Sequence, residues 1–230
     1  MKHTVIAVLL GAAVLLPMSA QAQLHDGDIE MSVVNSQIVL SGNDAFHRDG
    51  SPIFEGDFGD LAGGPFKTDD PGFDSEAGTF AAGTRINYRA LGSLQFWNGM
   101  AWSAAVPNSE FVQVEGNLGE ASRWLVGGLS GDLSGLIGQA GSGGLVHEHL
   151  DISVGRPGGA PAVGAYLIHL QLTSASLTSS VPYYLALNQG LSSDNFEGAI
   201  GALAPVPEPE TWWLMGVGLA AVGWRLRRTA

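Results

Sequence analysis

The 230-residue sequence contains no cysteine. Disulfide bonds, thiolate metal sites and cysteine nucleophiles are therefore excluded, and the fold must be stabilised by packing or by a bound ion. Basic residues are also scarce. Residues 23–206 contain six Lys and Arg and 20 Asp and Glu, which gives this part of the chain a formal charge of −14. A surface of that charge repels nucleic-acid phosphates, so we expect no DNA or RNA partner.

Common catalytic motifs are missing as well. The sequence has no Gly-x-Ser-x-Gly elbow, no His-Glu-x-x-His and no Gly-Lys-Ser/Thr phosphate loop. The sequence therefore predicts that the protein is not an enzyme. A glycoside-cleaving carboxylate pair has no sequence signature, because the tertiary structure sets its separation of about 5–9.5 Å. A polysaccharide-active enzyme thus stays open as an alternative.

The first 22 residues have the organisation of a secretory signal peptide. Lys2 gives a basic start, residues 4–16 form an apolar run, and Ala20 and Ala22 supply small side chains before a cleavage site. The apolar run is shorter than the roughly 20 residues that span a bilayer. We expect a signal helix over residues 1–22, removed by signal peptidase, and a mature body that begins at Gln23.

The last 25 residues, 206–230, combine three elements in a fixed order. A Pro-Glu-Pro motif comes first, an apolar segment follows from residue 212 to 224, and a basic cluster ends the chain. The motif consists of Pro207, Glu208 and Pro209, and the basic cluster of Arg225, Arg227 and Arg228. The apolar helix would reach only about 20 Å, less than the ~30 Å hydrocarbon core. Its basic end is expected to stay cytoplasmic.

This tail closely resembles the PEP-CTERM sorting signal. The resemblance implies recognition and processing by an exosortase, with transient attachment to the inner membrane through the C-terminal helix. It also implies export to the cell surface or the extracellular matrix of a Gram-negative-type bacterium. An ordinary single-pass anchor is the alternative interpretation of residues 206–230.

Residues 23–205 predict one all-β body, an antiparallel β-sandwich or jelly roll with one short C-terminal helix. Apolar alternation bounded by Gly, Pro, Asn or Ser predicts the strands. They cover residues 28–34, 37–40, 85–91, 93–97, 111–115, 122–126, 146–154, 165–173 and 182–188. The predicted helix covers residues 193–203. Many short strands separated by turn signals are typical of sandwiches and jelly rolls.

Two stretches lack this alternation. Residues 44–76 are acidic and glycine-rich, and predict long loops packed on the sheet. Their carboxylates are candidate calcium ligands, although no Asp-x-Asp-x-Asp-Gly pattern occurs and a solvated loop is the alternative. Residues 127–144 are rich in Gly, Ser and Leu, and predict a flexible crossover.

Three histidines make up the main candidate site. In a strand over 146–154, His147 and His149 share one face, and His169 lies on the polar face of the strand over 165–173. If these two strands form a hairpin, His149 lies opposite His169 with Cβ atoms about 4.5–5.5 Å apart. Three imidazoles so placed can bind one zinc ion. A solvated strand face is the alternative.

His25, near the mature N-terminus, is a fourth candidate ligand. His25-x-x-Asp28-Ile29, His147-x-His149 and Gly164-x-Tyr166-Leu167 together resemble the choice-of-anchor M domain and the zinc-starvation-repressed class of PEP-CTERM proteins. That resemblance implies an all-β body whose histidines bind metal. The spacing of the His25 motif is one residue longer than in that class.

Two further roles stay open beside metal binding. The sorting tail and the acidic, glycine-rich body are compatible with a structural or adhesive component of an extracellular polysaccharide matrix. In that case polysaccharide would be the partner and the protein would hold no metal. The sequence alone favours an exported surface protein that binds a divalent metal, zinc, through His147, His149, His169 and His25.

Overall fold

The computed structural model describes residues 27–42, 46–60 and 63–203. They form 16 strands and one helix, which confirms the all-β class. The strands and the helix are, in chain order, β1 (Ile29–Val34), β2 (Gln37–Ser41), β3 (His47–Arg48), β4 (Ser51–Asp57), β5 (Lys67–Thr68), β6 (Phe73–Asp74), β7 (Arg85–Trp97), β8 (Trp102–Ser103), β9 (Phe111–Glu115), β10 (Ala121–Leu125), β11 (Gly128–Gly131), β12 (Ser134–Gln139), β13 (His147–Glu148), β14 (Asp151–Gly155), β15 (Gly164–Thr173), β16 (Tyr183–Gln189) and α1 (Ser193–Gly201).

The strands build three sheets. One has the order β13-β6-β1-β2, the second β11-β10-β9-β14-β5, and the third β12-β7-β15-β16-β4-β3 with β8 paired to β7. Most pairs are antiparallel, as predicted, but β1 pairs with β6 and β16 pairs with β4 in parallel. The body is therefore a sandwich of one antiparallel and two mixed sheets, in which short strands link distant parts of the chain.

The predicted signal and membrane helices lie outside the described residues. Among the residues that the structure describes, no helix combines the length and the apolar character needed to cross a membrane. The C-terminal helix of the body is present, as α1. It buries Phe196, Ala199 and Ile200 against the outer face of the third sheet, where Trp97 and Leu167 belong to the same apolar cluster.

A larger core is enclosed by the inward faces of the strands. Strict alternation along β15 places Tyr166, Ile168 and Leu170 in this core, each no more than 1% exposed. Trp124 of β10 is fully buried in the same cluster. The local period of two predicted these inward faces correctly, because it depends only on neighbouring residues.

The glycine-rich stretch 127–144 is not a flexible crossover, and that prediction was wrong. It contains β11 and β12, and β12 pairs with β7. At Gly135 a Cβ atom would lie 2.6 Å from the ring of Tyr88, and at Gly138 it would lie 2.6 Å from Glu148. Because Gly135 and Gly138 have no side chains, β12 can approach Tyr88 and Glu148 closely at these two positions. The glycines therefore serve strand packing rather than flexibility.

The acidic stretch 44–76 also contains strands, so its description as long loops was wrong in part. Seven residues form β4, which joins the third sheet beside β16. The acidic residues of this stretch therefore lie in two different sheets. Glu55 and Asp57 lie on β4, whereas Asp70 and Asp74 lie near or on β6, in the first sheet.

The predicted hairpin between residues 146–154 and 165–173 does not form. The first segment is interrupted at His149 and Leu150, so β13 pairs with β6 and β14 pairs with β9 and β5. The second segment, β15, pairs with β7 and β16 in another sheet. The chain between them thus crosses from one sheet to another, which no local pattern indicates.

Candidate metal centre

Three short segments meet at one end of the first sheet. Parallel pairing of β1 with β6 sets Ile29 beside Phe73, and antiparallel pairing of β13 with β6 sets His147 beside Asp74. Asp28 immediately precedes β1, and its neighbourhood is fixed by a hydrogen bond from the Ile29 amide to the Gly72 carbonyl, 2.9 Å. Backbone pairing therefore brings Asp28, Asp74 and His147 together.

Two carboxylates of this group are buried. Asp28 is 4% exposed and Asp74 is fully buried. In each, Oδ1 accepts one backbone hydrogen bond: from the Gly72 amide to Asp28 at 3.0 Å, and from the Ser75 amide to Asp74 at 2.7 Å. The Oδ2 atom of each is buried and accepts no hydrogen bond from the residues that the structure describes. A buried carboxylate oxygen that accepts no hydrogen bond is costly, so such atoms favour a nearby positive charge.

Two imidazoles face these carboxylates. His147 Nδ1 lies 3.6 Å from Asp74 Oδ1, and His149 Nε2 lies 3.9 Å from Asp28 Oδ2. The two rings are 5.4 Å apart between centroids. Both histidine side chains are partly exposed, 35% and 27%, so an ion from solvent can reach them.

The orientation of His149 leaves one ring nitrogen facing the site. Its Nδ1 lies 2.9 Å from the carbonyl oxygen of Asp69. A carbonyl can only accept a hydrogen bond, so Nδ1 carries the proton and the lone pair is on Nε2, the atom that faces Asp28. Backbone carbonyls orient metal-binding histidines in this way.

Gly72 lies directly beneath the ring of His149. A Cβ atom at this position would lie 2.5–2.8 Å from three ring atoms. The glycine therefore allows the imidazole to reach the carboxylates while its own amide binds Asp28.

Replacing Gly72 by Ala should displace the His149 ring and weaken zinc binding by about 10–100-fold. The apo protein should keep its melting temperature within a few degrees, because the displaced ring is partly exposed. Calorimetric titration with Zn²⁺ measures the first effect and a thermal melt the second. Gly143→Ala is the matched control, since a Cβ there meets no atom within 4 Å. Equal zinc affinity in both variants would contradict the role given to His149.

The arrangement offers two overlapping sets of possible ligands for a divalent ion. Two groups have ligand atoms within 4.8 Å of one another, Asp28–Asp74–His147 and Asp28–Asp70–His149, and they share Asp28. Ligand atoms of a tetrahedral zinc site are about 3.3 Å apart, given bond lengths near 2.0–2.1 Å. The 3.6 Å between His147 and Asp74 and the 3.9 Å between His149 and Asp28 are slightly wider, and each belongs to a different group. Side-chain rotations about the shared Asp28 would be needed to bring both pairs onto one ion.

Asp70 lies at the rim of this site. Its side chain is 56% exposed and its Oδ1 is 3.5 Å from His149 Nδ1. Partial burial, and then the negative charge of Asp60, raise the pKa of the Asp70 carboxyl, whereas His149 lowers it. Asp60 itself accepts a hydrogen bond from Thr68, 2.9 Å. The rim thus adds negative charge beside the two buried carboxylates.

His169, the third predicted ligand, lies elsewhere. On β15 it pairs with Leu91 and Tyr184, in the third sheet. Its ring stacks on the Tyr184 ring at 4.3 Å with an interplanar angle of 12°. Burial lowers the pKa of the His169 imidazole, and the charge of Arg48 lowers it further. The predicted pairing of His149 with His169 was therefore wrong, because β13 and β14, on either side of His149, pair with other strands than β15.

The other predicted residues lie outside the described part of the chain. These are His25, Pro207, Glu208, Pro209, Arg225, Arg227 and Arg228. Sequence reasoning brought His147 and His149 together but did not join Asp70 and Asp74 to them, since it assigned the acidic stretch to separate loops. Only the sheet pairing shows that these acids lie beside the histidines.

A family model for the PEP-CTERM protein-sorting motif matches residues 205–228. The chain therefore carries this sorting motif, as predicted, and the motif implies processing by an exosortase and an exported, cell-surface or extracellular destination. The match is limited to the tail and does not extend to the body. No curated protein and no solved structure matches the chain.

Proposed function

We propose that this exported protein binds one divalent metal ion, zinc, through Asp28, Asp74, His147 and His149. The observation that supports the proposal best is the pair of buried Oδ2 atoms, in Asp28 and Asp74, that accept no hydrogen bond within the described part of the chain. They lie beside imidazoles that are open to solvent. An ion between them would neutralise both buried charges and satisfy both oxygens.

The choice of zinc follows from the chemistry of the donors. Two imidazole nitrogens with two carboxylates suit zinc and other late first-row metals, whereas calcium takes six to eight oxygens. Four protein ligands around the ion would leave no open position, which is typical of structural zinc sites rather than catalytic ones. The proposed site is therefore one of binding and stabilisation, and no reaction is assigned to it.

His25 extends this proposal towards the mature N-terminus. It stands three residues before Asp28 in the sequence. We propose it as an additional ligand only, because Asp28, Asp74, His147 and His149 already provide four donors. His169 is not included, since it lies in another sheet.

The full chain, purified in detergent and dialysed against Zn²⁺, should retain about one zinc per molecule by elemental analysis. His147→Ala should lower this content to background, because it removes one of the four donors. His169→Ala is the control for losing a histidine elsewhere and should leave the zinc content unchanged. A wild-type protein without bound zinc, or equal loss in both variants, would refute the site as proposed.

A further inference from the structure

A second candidate site is a concave surface on the outer face of the third sheet. The proposed metal ligands, by contrast, lie in or beside the first sheet. This second site is a cleft of about 490 Å³ between the β3–β4 turn, the β7–β8 connection and the end of α1. Its main side chains are Arg48, Asp49, Trp97, Met100, Trp102 and Leu203. The cleft thus combines an aromatic floor with one charged wall.

The aromatic floor is held rigidly. Trp97 and Trp102 lie 5.8 Å apart between ring centroids, and Trp97 is only 8% exposed. Trp102 Nε1 donates a hydrogen bond to the Ala199 carbonyl at 2.7 Å, so its only strong donor is used within the fold. What Trp102 offers to a ligand is therefore its ring face. Beside it Met100 is 84% exposed.

Arg48, in the charged wall, is held by two contacts. Arg48 Nη1 donates to Gln95 Oε1 at 3.0 Å, and the guanidinium lies 5.3 Å above the Tyr184 ring. Asp49 follows at the hairpin turn, with φ of 53°, and Gly50 has φ of 80°. Such a two-residue turn fixes the direction of the Asp49 Cα–Cβ bond. Its carboxylate is 86% exposed and lies 3.9 Å from Arg48 Nε.

These features select one class of ligand. A pyranose ring has an apolar face of C–H groups and an edge of hydroxyls, which both donate and accept hydrogen bonds. The indole ring of Trp102 complements the apolar face of the sugar. The carboxylate of Asp49 and the guanidinium of Arg48 complement its hydroxyls. Arg48 and Asp49 together carry no net charge, and the body is acidic. The cleft therefore matches a neutral sugar better than an acidic one.

We propose that this cleft binds a neutral glycan, with one pyranose ring on Trp102 and its hydroxyls on Arg48 and Asp49. The binding site is independent of the metal centre, because none of its residues belongs to that group. Its function would be attachment of the exported protein to polysaccharide, and a single sugar unit would bind weakly.

The test uses the full chain in a detergent without a sugar headgroup. Cellohexaose, maltohexaose and xylohexaose are the probes, and calorimetric titration is the measurement. At least one probe should bind saturably, and Asp49→Asn should weaken it about tenfold. Asn tolerates the left-handed backbone of residue 49, so this variant should fold normally. Asp151→Asn, which changes an exposed carboxylate on β14, is the matched control and should bind as the wild type does.

A second variant, Trp102→Ala, should lose at least tenfold in affinity if it folds. Failure of all three probes to bind would overturn the proposal. So would equal affinity of wild type and Asp49→Asn. Self-association of the chain that Asp49→Asn abolishes would assign the cleft to a second copy instead and would also overturn it. Because the metal site is not involved, zinc content should be the same in every variant.

Discussion

Replacing Asp74 by Asn should lower zinc affinity by about 100-fold or more and should raise the melting temperature of the metal-free protein. The first effect follows because an anionic ligand is replaced by a weakly coordinating amide. The second follows because Asp74 is fully buried and its Oδ2 accepts no hydrogen bond. Removing a buried, incompletely compensated charge removes its desolvation cost. Asn can still accept the hydrogen bond from the Ser75 amide.

The opposite signs of these two effects make the prediction specific. A ligand present at 100 times its dissociation constant stabilises the native state by about 2.7 kcal/mol. Wild-type protein should therefore melt several degrees higher with Zn²⁺ than without, whereas Asp74→Asn should show no shift. Thermal melts with and without a chelator measure both quantities.

Asp151→Asn supplies the control, since it removes an equal charge from an exposed position on β14. It should retain the zinc-induced shift. An Asp74→Asn protein that still melts higher with zinc would exclude Asp74 as a ligand. A metal-free variant less stable than the metal-free wild type would show that Asp74 acts instead as a structural hydrogen-bond acceptor or as the partner of His147.

Replacing Gly135 by Ala should destabilise the body by about 1–3 kcal/mol. The added Cβ atom would lie 2.6 Å from the Tyr88 ring. That ring cannot move away easily, because it is fully buried and its hydroxyl donates to the Val114 carbonyl at 3.2 Å and accepts from Ser122 Oγ at 3.1 Å. The variant must therefore shift β12 away from β7 or break these two hydrogen bonds.

The measurement is chemical unfolding of the chelator-treated protein, so that bound metal does not mask the loss. Gly143→Ala, in the same glycine-rich stretch, is the control and should change stability by no more than a few tenths of a kcal/mol. If Gly135→Ala proved as stable as that control, residues 127–144 would be the flexible segment that their composition suggests.

The candidate metal centre includes residues of very short strands. Strands β6 and β13 have two residues each, so they contribute few backbone hydrogen bonds. The proposed ion would join the start of β1, β6 and β13 through four side chains. Zinc binding should therefore stabilise this end of the first sheet, in line with the closed, four-ligand character of the site.

The sequence by itself determined the features that depend on neighbouring residues. The sorting motif is a linear signal, and the family match at residues 205–228 confirms it. Alternation of period two correctly predicted the core face of β15. The strands predicted over residues 28–34 and 37–40 correspond to β1 and β2, which pair through a turn at Asn35 and Ser36 with φ of 50° and 63°. Local patterns of this kind require no knowledge of the remaining chain.

Only the tertiary structure decided which strands pair and, with them, the candidate site. Asp28, Asp74 and His147 are far apart in the chain, and they meet because β6 lies between β1 and β13. The hairpin expected to join His149 and His169 does not form, because β15 pairs with β7 and β16 in the third sheet. The chain between the two histidines instead crosses from one sheet to another. The role of Gly135 in β12 likewise depends on a distant residue, because the space for a Cβ atom there is taken by Tyr88, 47 positions earlier in the chain. Long-range burial, rather than local periodicity, selects such contacts.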